Sequence, residues 1–475
     1  MAGDDQRAWA AMAQAARHAI DYRRGIATAE TTPAASYADM LAAFAGPVPE
    51  NPGDPERIIG ELVERATPGI RASTAPRFFG WVIGSSHPTG VAADWLASAW
   101  GQNAGNLVAA PASSAIEAVA AGWLLDLLGL PAEASVGYVT GATVANFVCL
   151  AAARSEMLRR VGWDVEADGM FGAPPIEILI GADAHATVFS GLKYLGFGAK
   201  RVTTIETDAM GRIIPASFEQ AVRANAGPKI AILQAGQINT GASDPFEEIV
   251  PIAHDAGAWC HVDGAFGLWA QASTAYRDQT RGVALADSWG TDGHKWLQTP
   301  YDCGFAIVRD AEAHARAMAI SASYLPGSQG AERDPSAYVP ELSRRARGFG
   351  TWAMIRQYGR SGIAELVERN CGVARFMGET LALEPGIDLV CPVVLNQFML
   401  RFHAEGRDVD ALTKKVVEQV QADAVAFIGS SLWRGQWVMR VSVSSAATTF
   451  SDAEVTVAAV INAWRKVSAN PVAPA

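Results

Sequence analysis

The chain has 475 residues, with 38 Lys+Arg against 49 Asp+Glu, a net charge of −11 and a pI near 5.3. Half of the residues are hydrophobic and only 18% charged, which excludes a disordered chain. The acidic balance argues against nucleic acid or an anionic membrane as partner, because both select basic patches. One core rarely grows beyond roughly 250–300 residues, so a large domain with smaller companions is expected. Five cysteines form an odd set without a CxxC pair, as expected of reduced packing residues in a cytoplasmic protein. The start of the chain, Met1-Ala2-Gly3-Asp4-Asp5, lacks the basic-then-apolar order of a secretory signal. No uncharged apolar run reaches the roughly 18–20 residues needed to cross a bilayer.

In chain order, residues 1–72 read as helices and loops, and 74–111 as a weakly periodic stretch rich in Gly, Trp and Phe. Ser114 and Glu117 predict a capping box. Behind them Ile116, Val119, Ala120, Trp123, Leu124, Leu127 and Leu128 fall at helical spacing, and Pro131 ends the run. Short apolar strands are then expected at 136–139, 176–180, 201–205, 229–235, 258–262, 287–290 and 304–308. They alternate with helices at 143–161, 186–196, 216–225 and 246–256. Runs apolar on both faces suit a mostly parallel sheet covered by helices. From 348 the pattern changes: helices at 351–358, 363–383 and 409–420 mix with strands at 396–402, 424–428 and 437–443. The expected organisation is an N-terminal helical segment (1–88), a large α/β domain (89–347) and a small C-terminal α+β domain (348–475).

Open α/β sheets bind ligands beyond the carboxyl ends of their strands, so the residues after each strand carry the chemistry. After the first strand come Thr140, Gly141, Ala142 and Thr143, opening a helix whose N–H groups favour an anion. After the second come Asp183, Ala184 and His185. The fifth ends in His261-Val262-Asp263-Gly264-Ala265, where an acid beside two small residues can meet a flat ligand. The sixth runs into Thr291-Asp292-Gly293-His294-Lys295-Trp296, a lysine set among groups that lower the charge of an amine and make it a nucleophile. A lysine for a Schiff base, an acid for a ring nitrogen and a helix start for a phosphate are together what pyridoxal 5′-phosphate needs. Metal binding is not expected, since no HxxxH or CxxC spacing is present.

These segments resemble the group II pyridoxal-phosphate-dependent amino-acid decarboxylases. His261 to Ala265 resembles that family's HVDxA motif and His294-Lys295-Trp296 its HKW motif. Residues 110–117 resemble the SPAxTELE segment, 140–146 the phosphate loop, and Asp183-Ala184-His185 the DxxH segment. The resemblance implies an aspartate-aminotransferase-like α/β fold (fold type I) with a mixed, mostly parallel seven-stranded sheet, and a homodimer sharing its active sites. It implies that Lys295 carries the cofactor, Asp263 pairs with the ring nitrogen, His185 stacks on the ring and Ala265 packs on its other face. Gly141, Ala142, Thr143 and His294 would hold the phosphate. Gln237 stands where the family has a cofactor-contacting threonine. Tyr338 is the loop tyrosine expected to deliver a proton, with Tyr324 further away. Phe79 and Trp81 are expected at the substrate, an L-amino acid of aromatic type. The implied reaction is decarboxylation to the amine and carbon dioxide. An oxygen-consuming aldehyde synthase, a transaminase or an aldol-type lyase on the same scaffold is the alternative, and a non-catalytic cofactor-binding protein a minor one. Arg440 resembles the carboxylate-binding arginine of transaminases or reads as a salt-bridged strand residue.

Overall fold

The main sheet forms where short runs are apolar on both faces. The computed structural model describes residues 2–320 and 333–469. Helices α1 (Ala2–Gly25), α2 (Tyr37–Phe44), α3 (Pro55–Ala66), α4 (Pro88–Ala99) and α5 (Pro111–Leu127) come first. Then follow β1 (Ser135–Val139), α6 (Ala142–Arg159), α7 (Val165–Asp168), β2 (Glu177–Gly181), α8 (Ala186–Tyr194), β3 (Val202–Ile205), α9 (Pro215–Val222), β4 (Lys229–Gln234), α10 (Phe246–Asp255), β5 (Trp259–Asp263), β6 (Ser288–Asp292), β7 (Gly304–Val308) and α11 (Ala311–Met318). The C-terminal part holds α12 (Arg347–Leu381), β8 (Ile387–Leu389), β9 (Gln397–Phe402), α13 (Val409–Ala422), β10 (Gly429–Trp433), β11 (Gln436–Ser442) and α14 (Phe450–Ala469).

The seven-stranded sheet has the order β1-β7-β6-β5-β4-β2-β3. Strand β7 runs antiparallel to both neighbours, and the other pairings are parallel. Alternate residues feed opposite cores. Ile230 and Ile232 join Val148 and Leu192 on one face, while Ala231 and Leu233 join Leu124, Phe246 and Trp289 on the other. This is the mixed, mostly parallel sheet expected from the sequence. A second, antiparallel sheet, β10-β11-β9-β8, packs with α13 and α14 around its own core. Helix α12 serves both cores: Met354, Leu366 and Cys371 face the large one, and Val373, Met377 and Leu381 the small one. The two helices expected at 351–358 and 363–383 are this one run, broken at Gly359, where φ is +60°.

Two local expectations are corrected. The strand expected at 424–428 is not part of the sheet. Its backbone instead pairs with the segment before Gly80, with Phe79 N–H donating to Phe427 O and Phe427 N–H to Arg77 O. The capping box at Ser114 does not form, because Pro111 starts α5 one turn earlier and the Ser114 hydroxyl has no partner. Glu117 is used differently. Fully buried, it takes a bidentate pair from Arg344 at 2.7 and 2.8 Å. That pair ties α5 to the chain leading into α12. Glu117→Ala leaves the Arg344 charge buried and unpaired, so it is expected to cost about 3–5 kcal/mol, read as a lower denaturant midpoint. A midpoint within error of the unsubstituted protein would show that the pair is not needed for stability.

Candidate active site

The site sits at the carboxyl ends of β1, β4, β5 and β6, around a cavity of ≈ 370 Å³. Beyond β1 the chain turns through Thr140 and Gly141 into α6. A side chain at Gly141 would come within 3.1 Å of both Asp292 Oδ1 and His294 Cε1, and one at Gly304 would reach within 2.5 Å of Gly141 Cα. Glycine at both places lets the start of α6 lie directly against the loop after β6. The Ala142 N–H donates to Asp292 Oδ1 at 2.6 Å.

Lys295 follows β6 by three residues, and its Nζ lies 3.0 Å from Asp292 Oδ2. Its backbone is pressed from the other side by Gly84, where φ is +75° and a Cβ would come within 2.5 Å of Lys295 Cα. Trp81 and Val82, both at positive φ, lead into that contact. His294 is mostly buried and its ring lies 4.4 Å from that of Tyr301, whose hydroxyl donates to Ile83 O. Burial lowers the His294 pKa, which keeps the ring neutral.

Asp263 ends β5 and is buried; the Ala265 N–H, at 3.3 Å, is its hydrogen-bond donor. Burial pushes its carboxyl above the usual range, and the neighbouring His185 and Lys295 pull the other way. His185 caps α8: its Nδ1 lies 2.7 Å from the Thr187 hydroxyl and accepts the Thr187 N–H at 3.4 Å. Burial lowers its pKa, so the ring is neutral with the proton on Nε2. Ala265 lines the same cavity and leaves a flat space beside Asp263.

Residues 38–400 match the pyridoxal-dependent decarboxylase conserved domain. The chain belongs to that family. An aromatic-L-amino-acid decarboxylase from Bacillus atrophaeus is 26% identical over 413 residues, spanning 85% of this chain and 84% of the other. A 4-hydroxyphenylacetaldehyde synthase from Rhodiola rosea is 27% identical over 411 residues, spanning 83% and 82%. The Oryza sativa TDC solved with PLP and tryptamine superposes with a TM-score of 0.91 over 98% of both chains at 22% identity, which shows the shared fold.

This decarboxylase is a carboxy-lyase whose cofactor is pyridoxal phosphate, and its cavity fits that group. A glycine cradle opens onto a helix start, a buried acid lies where no side chain of the described residues bonds it directly, and a lysine amine reaches the same space. Gly141, Ala142, Thr143, His185, Asp263, Ala265, His294, Lys295 and Trp81 all line it.

Three expected residues do not. Gln237 folds back on its own turn, its Oε1 accepting the Asn239 and Thr240 N–H groups while its Nε2 donates to Asp183 O. A side chain long enough to reach those amides caps the loop instead of meeting a ligand. Phe79 is buried in the small domain's core. Tyr338 packs with its ring 5.1 Å from His314, which lies 2.8 Å from the Ser135 hydroxyl at the start of β1. The Tyr338 backbone lies against Gly137 in the middle of β1, its ring turns toward the Ser135 end, and Tyr338 is not among the residues that line this chain's cavity. Tyr324 lies outside the described residues.

Sequence reasoning missed Asp292, Tyr301, Gln234 and Phe266, all of which line the cavity. Asp292 carried a signal, since an acid three residues before a reactive lysine is placed to be its counter-ion. Among the described residues His254, Cys260 and Asp287 come close enough to hold a metal ion. The Asp287 carboxylate there is already bonded to His254 and to the Cys260 N–H. Lys295→Ala is expected to abolish the visible absorbance of protein reconstituted with cofactor. Gly84→Ala, which drives a methyl group into the Lys295 backbone, is expected to weaken it. Full absorbance in either would contradict the site geometry.

Proposed function

We propose that this decarboxylase acts on an aromatic L-amino acid, releasing carbon dioxide and the amine, with Lys295, Asp263 and His185 as its catalytic residues. The observation that carries the substrate class is the wall of the cavity. Away from the polar floor it is built from Trp81, Ile83, Phe266 and Tyr301, and Lys295 is the only lysine or arginine among the described lining residues. An acidic side chain would want a second cation there. Trp81 is half exposed and backed by Phe427, with ring centroids 4.8 Å apart. The names of the relatives, an aromatic-amino-acid decarboxylase among them, support the same class.

Pyridoxal phosphate supplies a ring that stores the electron pair left when the carboxylate departs. The chain's own groups prepare for this. Lys295 offers the amine, with its Nζ 3.0 Å from Asp292 Oδ2. Asp263 keeps a carboxylate for the ring nitrogen in a place where burial makes any cation welcome. His185, neutral and carrying its proton on Nε2, holds one face of the site. The small Ala265 leaves the other face flat.

Arg440 on β11 is mostly buried, and burial lowers its pKa to about 10. It donates to Asn239 Oδ1 at 3.3 Å and has no carboxylate partner among the described residues, which supports a role in holding the loop after β4. One second reading is an oxygen-consuming aldehyde synthase, since Tyr338 does not line this chain's own cavity. A relative with that name matches this chain.

A homodimer is supported by apolar side chains exposed along the N-terminal helices, Trp9, Met12, Leu41, Phe44, Leu62 and Trp95 among them. No helix of the described residues is long and apolar enough to cross a membrane. Five unpaired cysteines, four of them buried, support a reducing, cytoplasmic setting.

The test is a panel of L-amino acids with the reconstituted enzyme. Carbon dioxide and amine in equal amounts from tryptophan, tyrosine, DOPA or phenylalanine, and not from glutamate, is expected. Aldehyde, ammonia and peroxide would establish the second reading, and no product from any aromatic would end the proposal. Trp81→Ala is expected to lower kcat/KM for the best substrate by about tenfold, the scale of one lost aromatic contact.

A further inference from the structure

The charges at the start of α6 are unusual for a phosphate site. The helix start and its glycine turn suit an anion. Yet the fixed charge closest to them is another anion. Asp292 is nearly buried, and its backbone is locked in place: its N–H donates to Ala265 O at 3.1 Å, and its carbonyl accepts the Trp269 indole N–H at 3.0 Å. Its Oδ1 takes the first amide of α6, Ala142 N–H, at 2.6 Å, and lies 3.5 Å from His294 Nε2. Its Oδ2 pairs with Lys295 at 3.0 Å.

The groups facing Asp292 are Ala142 from α6, His294 and Lys295 from its own loop, Tyr301 and Cys303 beyond them, and Asp263 and His185 across the cavity. Lys295 is the only lysine or arginine of the set, and burial lowers the His294 pKa. Condensation of the Lys295 amine with the cofactor's aldehyde would release water, and the ammonium's extra proton to solvent, so that the free Lys295 ammonium no longer pairs with Asp292. A phosphate held at the start of α6 would then face Asp292, and the described lining residues offer no other lysine or arginine. Like charges held close together in a partly buried site repel.

We infer that Asp292 limits how long pyridoxal phosphate stays bound, making the cofactor exchangeable. The inference rests on Lys295 as the cofactor lysine. Asp292 thus has two opposed effects: it attracts the amine before loading and repels the phosphate afterwards. Asn at this position keeps an oxygen for the Ala142 N–H, removes the charge and puts an NH2 donor where Lys295 had an acceptor, an effect that the pyridoxal probe separates from the phosphate.

The experiment compares the unsubstituted enzyme with Asp292→Asn, both reconstituted and followed by the visible band while an excess of a cofactor-scavenging protein is present. Two probes are used, pyridoxal phosphate and pyridoxal, which lacks the phosphate. Asp292→Asn is expected to release pyridoxal phosphate about tenfold more slowly or slower still, with pyridoxal affinity changed by less than about threefold. Release at the same rate or faster overturns the inference. So does equal tightening of pyridoxal, which would place the effect at Lys295 instead of the phosphate. A second measurement needs no variant. In the unsubstituted enzyme the phosphate is expected to improve affinity over pyridoxal by less than about a hundredfold, and a larger gain overturns the inference. If the unsubstituted protein shows no visible band at all with pyridoxal phosphate, it is the assignment of Lys295 that fails, a separate outcome.

Discussion

Lys295 can stand at the cavity because backbone from three distant stretches closes on its loop with no side chains between. Gly84 lies against the lysine's own backbone, Gly141 against Asp292 and His294, and Gly304 against Gly141. Each contact has a separate reason to need glycine. At Gly84 it is both a left-handed backbone and a collision with Lys295, and at Gly141 and Gly304 it is space alone. The polar groups of the site inherit their positions from this packing. The helix start, the acid of β6 and the lysine come within hydrogen-bond reach because these chains touch.

The sheet supplies the second requirement. Asp263 and Asp292 end adjacent strands, β5 and β6, and His185 caps the helix after β2. Parallel strands deliver their final residues along one edge, so residues far apart in sequence arrive side by side. The antiparallel β7 pairs Gly304 with Asp292 and carries the loop end back toward the start of α6.

Much of this was readable from the residues. The seven strands showed as apolar runs, and the strand-end groups His185, Asp263 and Lys295 were visible because chemistry-bearing residues there stand out against apolar text. What stayed hidden depends on side-chain direction and on contacts between remote segments. Gln237 sits at a cavity-forming turn but commits its amide to that turn. Phe79 is two residues from the half-exposed Trp81, and a backbone pairing with Phe427 turns it inward. Tyr338 is close in sequence to a family motif, yet its ring turns toward the Ser135 end of β1. Ser114 and Glu117 had the spacing of a cap, but a proline three residues earlier had already started the helix, and the glutamate's partner lies over two hundred residues away.

The pairing of Phe427 with the segment from Arg77 to Phe79 makes the C-terminal part a wall of the entrance. Phe427 stacks on Phe78 at 4.9 Å and backs Trp81 at 4.8 Å. The two ends of the cavity are therefore governed by different parts of the chain. The deep end belongs to the central sheet, while the mouth leans on a loop that follows α13. Drift in that loop can reshape the doorway while the machinery beneath it stays intact, giving the scaffold a route to new preferences that leaves its vitamin-binding floor alone.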